Sequence, residues 1–173
     1  MPLLWVSKRR GVFFSDMTDD SLRELYQEVI LDHSKHPRHF GALEHATHNA
    51  HGYNPLCGDR ITVHLVLGAD GRIADIKFEG RGCAISQASA SLMTDMLTGR
   101  TAAEAEKLMD GFLHLVKGEE GVTGLGEDDL ETLQVMAGVS AYPMRVKCAT
   151  LAWHTMKSAL EGGSRSNEPA KTE

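Results

Sequence analysis

From Thr18 the chain reads TDDSLRELYQEVILDHSKHP, and Leu22, Leu25, Tyr26, Val29, Ile30 and His33 fall at i, i+3, i+4, i+7, i+8 and i+11. That stripe predicts one amphipathic helix, capped by Thr18 or the Asp after it and ended by Pro37. Residues 38–59 scatter Gly41, Gly52, Pro55 and Gly58 among polar side chains, the pattern of a loop with at most a short strand over 48–51. In ITVHLVL, Ile61, Val63, Leu65 and Leu67 alternate with other residues. The turn GADG follows, and RIADIKFEG then sets Ala74, Ile76 and Phe78 on one face. A period of two predicts a half-buried β-hairpin in an antiparallel sheet.

Gly80 and Gly82 break the second strand, and AISQASASLMTDML predicts a helix over 84–97 with Gly99 at its C′ position. Its Ala and Ser content lets it lie close against a sheet. A second amphipathic helix is predicted over 101–117, with Ala105, Leu108, Met109, Phe112, Leu113 and Val116 inward. The acidic, Gly-rich GEEGVTGLGEDD reads as a solvated connection before a shorter helix over 130–137. A last helix is expected over 145–160, burying Val146, Ala149, Trp153 and Leu160. A small antiparallel sheet of about three strands followed by helices is an α+β domain, the helices packed on one face of the sheet.

The 173 residues suffice for one core, and three segments are expected: a disordered extension 1–16, a domain 17–161 and a disordered tail 162–173. Lys8, Arg9 and Arg10 sit between two short apolar patches, whereas a secretory signal places its charges before a run of about 7 to 15 apolar residues. A net charge of −6 with scattered basic residues argues against nucleic acid as a partner. No apolar run reaches the roughly 18 to 20 residues that span a bilayer, so no membrane role is expected. Three cysteines in 173 residues suit reduced thiols in a cytoplasm better than a disulfide framework.

Those cysteines stand in NPLCGD (Cys57), EGRGCAIS (Cys83) and RVKCAT (Cys148), each read as a turn-to-helix or turn-to-strand junction. Cys83 opens a helix, where free N–H groups and the helix dipole favour a thiolate. Arg81 and Lys147, each within two residues of a cysteine, add positive charge that lowers a thiol pKa. Gly58 permits a tight turn, so Cys57 and Asp59 can approach one ion together. Three thiolates and a carboxylate make a tetrahedral shell for zinc, or hold iron–sulfur species; buried structural cysteines are the alternative. The gaps of 26 and 65 residues do not choose between these. His33, His36, His39, His45, His48 and His51 crowd into 19 residues and read as a polar surface, while Met93, Met96 and Met109 read as core.

The set N-P-x-C-G-D, G-x-G-C-x-I-S and R-V-K-C-A-x-L-x-W, after the opening helix L-Y-x-E-V-I-L-D-H, resembles the SufU/IscU family of iron–sulfur cluster assembly proteins over about residues 20–161. Lys147 stands where IscU-type scaffolds have His, and the segment around 101–125 corresponds to an insertion of SufU-type proteins. YPMRVKC also lacks the L-P-P-V-K peptide through which IscU-type scaffolds engage a chaperone.

The resemblance therefore implies a SufU-type zinc-dependent sulfurtransferase. Zinc would be held by Cys57, Asp59, Cys83 and Cys148, and Cys57 would accept sulfur from a SufS-type cysteine desulfurase, with Arg81 and Lys147 beside the reacting thiols. Delivery to downstream iron–sulfur assembly proteins would follow. The alternative is a scaffold on which a [2Fe–2S] or [4Fe–4S] cluster is itself assembled.

Overall fold

A computed structural model describes residues 19–119, 122, 124–162 and 170–171. The expected extension 1–16 and most of the expected tail lie outside these residues. Helix α1 spans Asp19–Lys35, followed by strands β1 (His48–Asn54), β2 (Asp59–Leu67) and β3 (Ile73–Arg81). Helices α2 (Ala84–Leu97), α3 (Ala102–Val116) and α4 (Glu127–Gln134), a 3-10 turn (Ala137–Ala141) and helix α5 (Pro143–Leu160) complete the domain. The three main strands form an antiparallel meander, Gly52 opposite Ile61 and Val63 opposite Phe78. Ala170–Lys171 add a two-residue parallel strand, β4, on the free edge of β1.

The polar text of β1 hides its strand character. Ala50, Gly52 and Asn54 face the interior while His51 and Tyr53 face out, so the strand runs three residues past the short one expected. Alternation in β2 is as read, with Ile61, Val63 and Leu65 buried. In β3 the expected face is wrong at one position: Ala74 is exposed and Ile73 is buried, because the register shifts between Val66 and Leu67. A bulge of this kind swaps the faces beyond it.

Helices α2 and α5 cover one face of the sheet, and α3 packs behind α5. Small residues in α2, among them Ser89, Ala90 and Ser91, allow the close approach their composition predicts. Phe112 of α3 stacks on Trp153 of α5 at 4.3 Å between centroids, joining the two layers. Thr101 and Glu104 form a reciprocal capping box at the start of α3. The shorter helix starts at Glu127, earlier than expected, and its place over 137 is taken by the 3-10 turn. Met93 and Met109 are buried as core.

His33 departs from the surface reading. It lies 1% exposed between α1 and α2, its Nδ1 2.8 Å from Ser91 Oγ. The reason is its place in the apolar stripe of α1, which turns it toward α2 and away from water.

Candidate metal centre

Three segments deliver the cysteines to one end of the sheet. Between β1 and β2 the chain turns through residues 55–58, where the Gly58 N–H donates to the Asn54 carbonyl at 2.9 Å. Gly58 has φ +70, the left-handed conformation that glycine adopts without cost. That turn presents Cys57 half-buried, between exposed Leu56 and exposed Gly58. Asp59 opens β2 and is fully buried.

Cys83 is the N-cap of α2, as its sequence setting predicts; its Sγ accepts the Ser86 N–H at 3.5 Å. Cys148 is not at a junction. Pro143 begins α5 two residues earlier than expected, which places Cys148 inside the helix, fully buried.

Ligand atoms of Cys57, Asp59 and Cys148 all lie within 4.8 Å of one another. The Cys57 and Cys148 sulfurs are 3.3 Å apart, and neither is in a disulfide. Two ligands about 2.3 Å from a tetrahedral ion are about 3.8 Å apart, so these sulfurs need only a small adjustment to share one. Asp59 Oδ1 accepts the Cys83 backbone N–H at 3.0 Å, and Oδ2 accepts from Asn54 Nδ2 at 3.4 Å. Among the described residues no cationic side chain pairs with this buried carboxylate. A charge buried without a counter-charge is costly, which is the condition a bound cation relieves. The donor set of sulfur and carboxylate oxygen therefore fits zinc.

Cys83 lies outside the group of three but shares its surroundings. Arg145, one helical turn before Cys148 and exposed, holds its proton more tightly under the influence of the Cys148 sulfur first and of Cys83 second. Burial, then the neighbouring Cys57 and Asp59, push the Cys148 thiol pKa upward in the metal-free protein.

Of the two cationic residues expected at the site, Lys147 is half-buried beside Cys148 on α5. Arg81 is exposed, opposite Arg60 at the end of β3. Arg81 makes no ion pair with Asp59 among the described residues. Arg145 and Asn54 are the functional candidates that sequence reasoning passed over. Arg145 is three residues before Cys148, the spacing that puts two side chains on one helix face, so the R-V-K-C text held the signal. Asn54 had none beyond standing in NPLCGD, because its role depends on strand register.

Large apolar side chains rim this end of the molecule: Leu56, Tyr142 and Met144 are exposed. Among the described residues no helix is long and apolar enough to cross a membrane.

A family model described as NifU-like N terminal domain matches residues 25–149. The chain is 40% identical over 145 residues to the iron-sulfur cluster assembly scaffold protein IscU of Streptococcus pyogenes serotype M1, covering 84% of this chain and 88% of that one. It is 40% identical over 147 residues to the zinc-dependent sulfurtransferase SufU of Bacillus subtilis strain 168, covering 83% and 97%. Among solved structures, FiSufU from Fervidobacterium islandicum AW-1 superposes with a TM-score of 0.71 at 38% identity, over 80% of this chain and 98% of that one. The N-terminal part of a NifU-like protein from Brucella abortus has the same fold, with a TM-score of 0.70 at 23% identity over 84% and 98%.

Proposed function

The chain belongs to the NifU-like N-terminal domain family, with relatives that are iron–sulfur cluster assembly proteins, and we propose that it is a zinc-dependent sulfurtransferase. In this reading it accepts persulfide sulfur from a SufS-type cysteine desulfurase, stimulates that enzyme, and hands the sulfur on to iron–sulfur cluster assembly in the cytoplasm. The observation that carries it is the convergence of Cys57, Asp59 and Cys148, with Cys57 on a turn that a second protein can reach.

Cys57, Asp59, Cys83 and Cys148 are the residues that would hold zinc. When bound, zinc keeps its thiol ligands deprotonated at neutral pH and brings no redox chemistry of its own. Cys57 sulfur attacks the outer sulfur of the desulfurase persulfide. One S–S bond forms on Cys57, the partner's S–S bond breaks, and the electron pair leaves on the partner's thiolate, so no external oxidant or reductant is needed. Asp59 and Cys148, both buried, stay in place while the Cys57 turn moves. Lys147 and Arg145 supply positive charge beside the reacting sulfurs. The exposed Leu56, Tyr142 and Met144 suit contact with a protein surface.

A second reading, a scaffold that builds a [2Fe–2S] or [4Fe–4S] cluster on the same ligands, is supported by the names of the relatives from Streptococcus pyogenes and Thermotoga maritima, at 40% and 41% identity. Lys147 before the third cysteine favours the transfer role.

The test is metal analysis together with a desulfurase assay. Protein purified in air should carry about one zinc and no colour, and should accelerate a SufS-type enzyme. Cys57→Ala should abolish the acceleration and leave the enzyme's basal rate unchanged. Full acceleration by that variant would refute transfer through Cys57, and a brown protein with stoichiometric iron and labile sulfide would establish the scaffold instead.

A further inference from the structure

Asn54 ends β1 directly opposite Asp59, and its side chain is fully buried. All of its polar atoms are engaged at the centre. Oδ1 accepts the Leu56 N–H at 3.2 Å, while Nδ2 points at Asp59 Oδ2, 3.4 Å away, and at Cys148 Sγ, 3.8 Å away. The orientation of the amide is set by these partners. Reversing it would put an NH2 group against the Leu56 N–H and an oxygen against the Asp59 carboxylate, two repulsive contacts for three attractive ones.

We infer that Asn54 is a positioning residue for the metal centre: one amide holds two of its ligands and the turn that carries a third. The two N–H groups serve a carboxylate and a sulfur that are both anionic when a cation is bound, and charge-assisted hydrogen bonds are strongest in that state. Through Oδ1 the same side chain fixes Leu56, the neighbour of Cys57. Outer groups that orient ligands in this way typically change metal affinity 10- to 100-fold when removed. Asn54 is not itself a ligand, since it turns Nδ2, which has no lone pair to give a metal, toward Asp59 and Cys148, and its oxygen toward the Leu56 N–H.

The inference rests on the ligand set proposed above, and zinc binding tests the two separately. Zinc affinity of the full chain would be measured by chelator competition, alongside the thiolate-to-metal charge-transfer band of the cobalt(II) form and the melting of the metal-free protein. Asn54→Leu, close in shape, and the milder Asn54→Ser should each weaken zinc about 10- to 100-fold. Each should also shift the cobalt band, while any loss in metal-free melting falls short of accounting for the lost zinc affinity. Asn49→Ser, elsewhere on β1, should alter none of the three. Zinc affinity and cobalt band both unchanged in a cooperatively folded Asn54→Ser would overturn the inference while sparing the ligand set. So would an affinity loss matched by lost apoprotein stability with an unmoved band. Wild-type protein that binds no zinc would overturn both. If Asn54→Leu does not fold, Asn54→Ser alone decides.

Discussion

Asp59 Oδ1 accepts the backbone N–H of Cys83 at 3.0 Å, so a buried carboxylate on the first residue of β2 fastens the N-cap of α2. Gly82 makes this approach possible: a Cβ there would stand 2.7 Å from the same oxygen. One side chain thus has a structural task beside the metal-binding one proposed for it, and two substitutions separate them.

Asp59→Asn keeps an acceptor for Cys83 but removes the charge, whereas Asp59→Ala removes both. The asparagine variant should fold nearly as well as wild type when metal-free, because the loss of an uncompensated buried charge offsets the NH2 group now set against Asn54 Nδ2. The alanine variant should lose about 1–3 kcal/mol, the cost of a buried N–H left without a partner. Both should hold zinc less tightly than wild type, yet Asp59→Ala should retain it better than Cys148→Ser, since three sulfurs remain. Zinc per chain after a chelator wash, with urea denaturation of the metal-free proteins, gives the answer. Unaltered zinc retention in Asp59→Asn would show that the carboxylate is not a ligand.

Gly52 of β1 lies close against α5. A Cβ on it would lie 2.0 Å from Thr155 Oγ1 and 3.1 Å from both Ile61 Cγ2 and Leu151 Cδ1. The threonine has little room to yield, because its hydroxyl donates to the Leu151 carbonyl at 2.7 Å. Gly52→Ala should therefore cost about 1–3 kcal/mol or more through overpacking. Adding Thr155→Ala should recover part of the loss, with a coupling of about 0.5–3 kcal/mol. Urea midpoints of the two single variants and the double variant measure it; additive losses would place the strain elsewhere.

The sequence was most informative where periodicity was strong. The stripe of α1, the alternation in β2 and the end of α2 at Gly99 are all legible, and the cysteine motifs mark the family. What escaped depended on contacts distant in sequence. Nothing local shows that HNAHGYN is a strand, because its buried face consists of Ala50, Gly52 and Asn54, and the packing that selects it comes from β2 and α5. The convergence of Cys57 with Cys148, 91 residues away, is likewise a product of topology that spacing cannot reveal. Ala74 faces the other way from its alternation because a bulge is invisible to a period of two.

His33 was hidden in the same way, and its burial predicts how the fold responds to acid. Ser91 Oγ accepts the Arg38 N–H and meets His33 Nδ1, each at 2.8 Å, while Nε2 is buried with no partner among the described residues. A proton added here meets desolvation first and the Arg38 charge second, with Asp95 and Asp32 opposing, and the pKa falls to about 4. In the unfolded chain the same imidazole titrates near 6.5. The unfolded state therefore binds the extra proton between those values. The stabilisation is complete above about pH 6.5 and is lost as the pH falls toward about 4, by at most about 1.4 kcal/mol per pH unit. His33→Gln removes the titration. With chelator present in both samples, so that metal release does not contribute, urea denaturation from pH 7 to 4.5 should show wild type losing stability faster than the variant. Parallel curves would mean that His33 is protonated inside the fold without penalty, contrary to its burial.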